Sequence, residues 1–173
     1  MSHITKNILR GVIVAAVAII LFVSGVQVGF SYALRNFETI RCSSMEISPK
    51  NILQEVSYYR YKNNLGPVVS HDALVKYSSA RSEEIIKDFN HKSAGVLPDF
   101  NNFIKNNGFS SGIGNTQMGE VIAEGYQNAC QVVQGWDKSQ THKDVILNGA
   151  YRFGGVGVKY ADNRIFVVAV FSN

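Results

Sequence analysis

An α+β domain behind an apolar N-terminal segment is the fold class that the sequence predicts, on three observations. Beyond residue 48 apolar residues recur at helical spacing, two strand-like runs joined by a turn-forming tripeptide close the chain, and residues 11–34 carry no charge. Of the 173 residues, 46% are hydrophobic and 17% charged, which excludes a disordered or fibrous chain. Setting the apolar segment aside leaves about 130 residues, enough for one domain with a proper core. The net charge of +4 is spread without a basic stripe, so nucleic acid is not an expected partner.

Residues 1–10 form a short segment containing Lys6 and Arg10, expected on the cytoplasmic side. At about 1.5 Å per residue, a helix over residues 11–34 is long enough to cross a hydrocarbon core of roughly 30 Å. It is expected to anchor the protein in the cell membrane as a single pass, with everything after residue 34 outside. The alternative is an export signal, cleaved near Gly25 or Ala33 to release a secreted domain. Residues 35–47 read as a connector and residues 48–173 as the domain.

Ser48 and Pro49 open a first helix as cap and first helical residue. Ile52, Leu53, Val56 and Tyr59 give it an apolar face, and the sequence from Asn63 to Pro67 ends it. A second helix is expected from near Asp72 to Phe89, with Leu74, Tyr77, Ile85 and Ile86 facing the core and Ser70 as a candidate cap. His71, at its start, reads as a solvated or capping residue. Phe100, Phe103 and Ile104 suggest a short helix, and residues 108–119 a Gly/Ser/Asn-rich loop. Glu120 stands at the mouth of the apolar run Val121-Ile122-Ala123, and residues 129–136 read as helical. Residues 151–160 and 164–172 should pair as antiparallel strands of a small sheet, turning at Ala161-Asp162-Asn163.

Chemistry-bearing candidates are few. His142 follows Trp136 by six residues, and an imidazole titrating near neutrality serves as ligand, acid or base. Trp136 itself reads as packing. Ser139 suits a helix-cap hydroxyl better than a nucleophile, and Glu124 a solvated charge. Cys42 and Cys130 permit one disulfide in an exported domain, with two free thiols as the alternative.

Taken in order, several stretches resemble the CAP or SCP superfamily, named for cysteine-rich secretory proteins, antigen 5 and pathogenesis-related proteins, and most closely its compact bacterial branch. They are Arg60 with Leu65-Gly66-Pro67-Val68, then Phe89-Asn90-His91-Lys92-Ser93, then the run from Phe103 to Phe109, then Gly119-Glu120-Val121-Ile122-Ala123, and finally Trp136 through Val158. The resemblance implies a three-layer α-β-α sandwich with a small antiparallel sheet, the CAP fold. It also implies that His91, Glu120 and His142 line one cleft, where the histidines hold a divalent ion such as zinc and Glu120 lies beside them. Val121 and Val145 stand where the family usually has asparagine, and Thr141 where the bacterial branch has glycine. Ser139 takes the place at which animal members carry a second glutamate.

Two imidazoles and a carboxylate are borderline ligands suited to zinc, and without thiolates the open positions would hold water. The expected function is therefore a displayed binding module, its cleft taking a lipid-like ligand, by analogy with sterol-binding relatives, or a protein partner. The alternative is a metal-dependent hydrolase acting on peptide, ester or glycan, with Glu120 as the catalytic base. Binding is the preferred reading, because no serine or cysteine nucleophile stands beside a base.

Overall fold

The computed structural model describes residues 41–91 and 117–173, with Gln27, Ser31, Thr39 and Phe103 besides. The chain divides into Met1–Arg41 and Cys42–Asn173. Apart from Gln27 and Ser31, the expected membrane segment lies outside the described residues, as do Phe100 and Ile104 of the expected short helix, while Phe103 is helical. Among the described residues no helix is long and apolar enough to cross a membrane.

Helix α1 (Pro49–Lys62) starts as its sequence demands, with the Ser48 hydroxyl accepting from the Asn51 amide and proline in the first turn. Strand β1 (Val69–Ser70) leads into α2 (Asp72–Lys87), and after the undescribed stretch come β2 (Met118–Glu124), α3 (Ala129–Asp137), α4 (Gln140–Ile146), β3 (Phe153–Ala161) and β4 (Arg164–Ser172). The strand order is β1-β3-β4-β2. β4 pairs antiparallel with both β3 and β2, whereas β1 runs parallel to β3, Val69 opposite Phe153 and Ser70 opposite Gly154.

The sheet is therefore mixed, not purely antiparallel. A two-residue strand carries no periodic signal, and it exists only because α1 and α2 bring it beside the start of β3. There the Val69 and His71 amides donate to Arg152 and Gly154 carbonyls. Smaller corrections share this tertiary origin. His71, not Ser70, caps α2 through Nδ1, which accepts from the Ala73 amide at 3.2 Å. That helix stops at Lys87, and Met118 and Gly119 belong to β2 rather than to the preceding loop.

β4 explains the layering. Ile165, Val167, Ala169 and Phe171 join a core with Ile52 and Val56 of α1, Val132 and Trp136 of α3 and Ile146 of α4, while Phe166, Val168 and Val170 join Leu74, Tyr77 and Ile85 of α2. Period-two alternation thus buries both faces of one strand, so it reads as an unbroken apolar run. Helices cover each face, giving the three-layer α-β-α sandwich. α2 lies on the backbone of β3: a Cβ on Gly155 or Gly157 would sit within 2.1 Å of the Leu74 carbonyl carbon or 2.0 Å of the Ser78 carbonyl oxygen. The β3–β4 hairpin turns at Asp162 and Asn163, whose φ of 51° and 57° suit a primed two-residue turn.

Cys42 and Cys130 are bonded, their Cα atoms 5.4 Å apart. Arg60 is 1% exposed and donates to the carbonyls of Gly66, Ile146, Asn148 and Tyr151, fastening α1 to the loop between α4 and β3. Burial first, and then Arg152, push its guanidinium pKa below the ordinary value.

Candidate functional site

Parity along β2 sets the site. Val121 and Ala123 face the α1 and α3 layer, so Glu120 and Ile122 face α2. There the Glu120 carboxylate meets Arg81, which is 2% exposed. Nε of Arg81 donates to Oε2 at 3.0 Å and one Nη to Oε1 at 3.2 Å, a two-pronged grip. The other Nη donates to Glu84 at 2.6 Å, and the guanidinium also donates to the Asn90 carbonyl at 3.1 Å. Burial alone would lower the arginine's pKa, but hydrogen bonds and charge from Glu120 and Glu84 reverse that and hold it above the ordinary value.

Glu120 Oε1 also faces His91 Nδ1 at 3.1 Å. A proton on Nδ1 directed at the carboxylate leaves the Nε2 lone pair free, the carboxylate–histidine arrangement that commonly prepares a metal ligand. His142, on α4, brings its ring centre to 5.7 Å from that of His91, tilted by 50°. Two imidazoles sharing a tetrahedral ion at about 2 Å have ring centres roughly 5 Å apart, a spacing near the one seen here. Burial first, and then the neighbouring His91, push the His142 pKa down, favouring its neutral, ligating form. The cluster thus joins residues from α2, the segment after it, β2 and α4.

The structure brings His91, Glu120 and His142 together, and Ser139 makes no hydrogen bond to them. The Ser139 hydroxyl makes no helix-capping bond and pairs with Thr141 Oγ1 at 3.1 Å. Glu124 is not simply solvated: it forms an ion pair with Arg164. Trp136 is core, its indole N–H donating to the Ile122 carbonyl at 2.9 Å. Among the described residues, three side chains of ligand type converge within 4.8 Å at Cys42, Glu55 and Cys130, but the two sulfurs are bonded to each other.

Arg81 is the member that the sequence reading missed. It falls on the apolar stripe of α2 between Tyr77 and Ile85, at steps of four, just as Arg60 follows Ile52 and Val56 on α1. A cation on a buried stripe requires a buried partner, and that was the available signal.

A three-layer sandwich with a histidine–glutamate cleft at its sheet edge defines a CAP domain. The sequence profile of the cysteine-rich secretory protein family matches residues 53–171, and the chain belongs to that family. Over 125 residues it is 31% identical to the uncharacterized protein YkwD of Bacillus subtilis (strain 168), covering 70% of this chain and 46% of YkwD. The chain spans about half the length of that relative, and its likeness to a Bacillus protein places it with the bacterial members of the family. Among solved structures, an outer surface protein of Borrelia burgdorferi superposes with a TM-score of 0.58 at 22% identity, covering 72% of this chain and 90% of that one. An extracellular SCP-domain protein of Bacillus anthracis str. Ames gives 0.56 at 19%, covering 71% and 39%. These two likenesses establish the shared fold.

Proposed function

We propose that this protein is an exported, membrane-anchored binding module whose cleft takes a divalent cation through His91 and His142, with Glu120 orienting His91. The observation that carries this reading is the engagement of Glu120, whose two carboxylate oxygens are both taken by Arg81 and one also by His91. Held by the Arg81 guanidinium and facing His91, this carboxylate is placed to orient that imidazole. A bound cation would supply a Lewis-acidic centre with positions open to a ligand. No thiol is available as a nucleophile among the described residues, since the cysteines are bonded.

Export is supported by the Cys42–Cys130 bond, which persists in oxidising compartments, and by the uncharged segment 11–34. A lipid-like ligand is supported by an open apolar groove of about 490 Å³, walled by Leu53, Val68, Val75 and Val156 with Lys50 at its rim.

Zinc titration by calorimetry on the full chain tests the cleft. Saturable binding that is abolished in His91→Ala and His142→Ala, and weakened by about 10- to 100-fold in Glu120→Gln, is the expected result. Turnover of peptide, ester or glycan by wild type that disappears in Glu120→Gln with the fold retained would make the hydrolase reading correct instead.

A further inference from the structure

We propose a second binding site, for a neutral oligosaccharide, at the hairpin end of the sheet. Five strand positions separate Glu120 from Gly125, so at about 3.3 Å per residue this end lies some 17 Å along β2 from the cleft. An open pocket of about 470 Å³ is bounded there by Glu46, Tyr126, Gln127, Tyr160, Asn163 and Arg164, a volume within the roughly 300–1,000 Å³ of small-molecule sites.

Two properties of the lining point to sugar. Tyr160 is 72% exposed, a large ring held at a strand end with solvent on it, while Tyr126 is half-buried and anchored against Gly135. A pyranose has one face made of C–H groups, and such a face packs on an aromatic ring whose π-surface is electron-rich. The side-chain amides of Gln127 and Asn163 and the carboxylate of Glu46 make no hydrogen bond among the described residues, so donors and acceptors stand together around the rings. That mixture matches hydroxyl groups, which both donate and accept.

Charge and backbone narrow the class further. Arg164 is already paired with Glu124, and Glu46 is the remaining lining charge, so nothing at the pocket is left to attract an anion. The Gly125 amide donates to the Ile165 carbonyl and the Gln127 amide to the Gln131 side chain. Neither amide is therefore free to pair with an extended peptide.

The test uses the full chain in a detergent without a sugar headgroup, titrated calorimetrically with a β-linked N-acetylglucosamine tetramer, an α-linked glucose tetramer and tetra-alanine. Saturable binding of at least one sugar is expected, weakened about tenfold by Tyr160→Ala and retained by Tyr160→Phe, which keeps the ring. Asn163→Gly, which preserves the left-handed turn while deleting the amide, and Gln127→Ala, at an exposed position, should each weaken it as well. His142→Ala should leave sugar binding unchanged, which separates this site from the cleft. Failure of both sugars to saturate at millimolar concentration would overturn the proposal. So would wild-type sugar affinity in Tyr160→Ala, loss of sugar binding in His142→Ala, or saturable binding of tetra-alanine in place of the sugars.

Discussion

Arg81 is the residue on which the cleft depends, because it is a buried cation serving two carboxylates from different elements. Glu84 lies one turn away on the same helix, while Glu120 comes from β2, so the guanidinium ties the helical layer to the sheet edge and fixes the rotamer of the group that faces His91. Replacing it with an apolar side chain of similar length takes the shared cation away from both carboxylates. Arg81→Met is expected to lose about 3 to 5 kcal/mol of stability in urea denaturation. The double variant Arg81→Met/Glu120→Gln should recover part of that loss, because one of the two negative charges that Arg81 balances is then gone. Equal stability of single and double variants would show that the ion pair is not what Arg81 contributes.

Elements meet here through two different kinds of contact. α2 rests on β3 backbone to backbone, which is possible because Gly155 and Gly157 present no side chain to it. A methyl group at Gly157 would stand 2.0 Å from the Ser78 carbonyl oxygen, so the helix must move. Gly157→Ala is expected to cost about 1 to 3 kcal/mol by thermal or chemical unfolding, as overpacking does. α1 and α3, which share an apolar core, are also tied by polar groups: the Tyr59 hydroxyl donates to Asp137, and Lys143 of α4 approaches the same carboxylate at 2.9 Å. The Tyr59 hydrogen bond first, and then Lys143, lower the Asp137 pKa below its ordinary 3.8. Unfolded chain binds that proton more readily than folded chain does. The stabilisation is therefore complete above about pH 4 and is lost as pH falls through the lowered folded value. Acid unfolding of Asp137→Asn should show a shallower dependence on pH below 4 than wild type does, and coincident profiles would refute the tie.

At the scale of the whole molecule, one covalent bond joins residues 88 positions apart and connects the start of the domain to α3. In the chain-entropy account, closing a loop of that length stabilises by about 4 to 5 kcal/mol. Thiol titration of unreduced, denatured protein should find no free cysteine, and reduction should lower the melting temperature by several degrees. Two titratable thiols before reduction would contradict the bond. Met45, three residues beyond Cys42, accepts from the Ala129 amide, so the bond and this contact act on the same two segments.

Much of this was legible in the residues. Helix starts at Ser48-Pro49, apolar spacing along α1 and α2, and the hairpin at Asp162-Asn163 are local signals, because capping, periodicity and turn chemistry act within a few residues of themselves. His142 was a candidate on its own chemistry, whereas His91 and Glu120 were found through ordered motifs that resemble a known family. What tertiary structure alone decided is the parallel strand β1, too short to carry a pattern, and the layer faced by each residue of β4, whose two faces are equally apolar. It also decided the partners of Arg81 and Arg60. Both arginines interrupt an apolar stripe, which announces that a partner exists, but its identity depends on which carboxylate or carbonyl the packing of distant segments delivers.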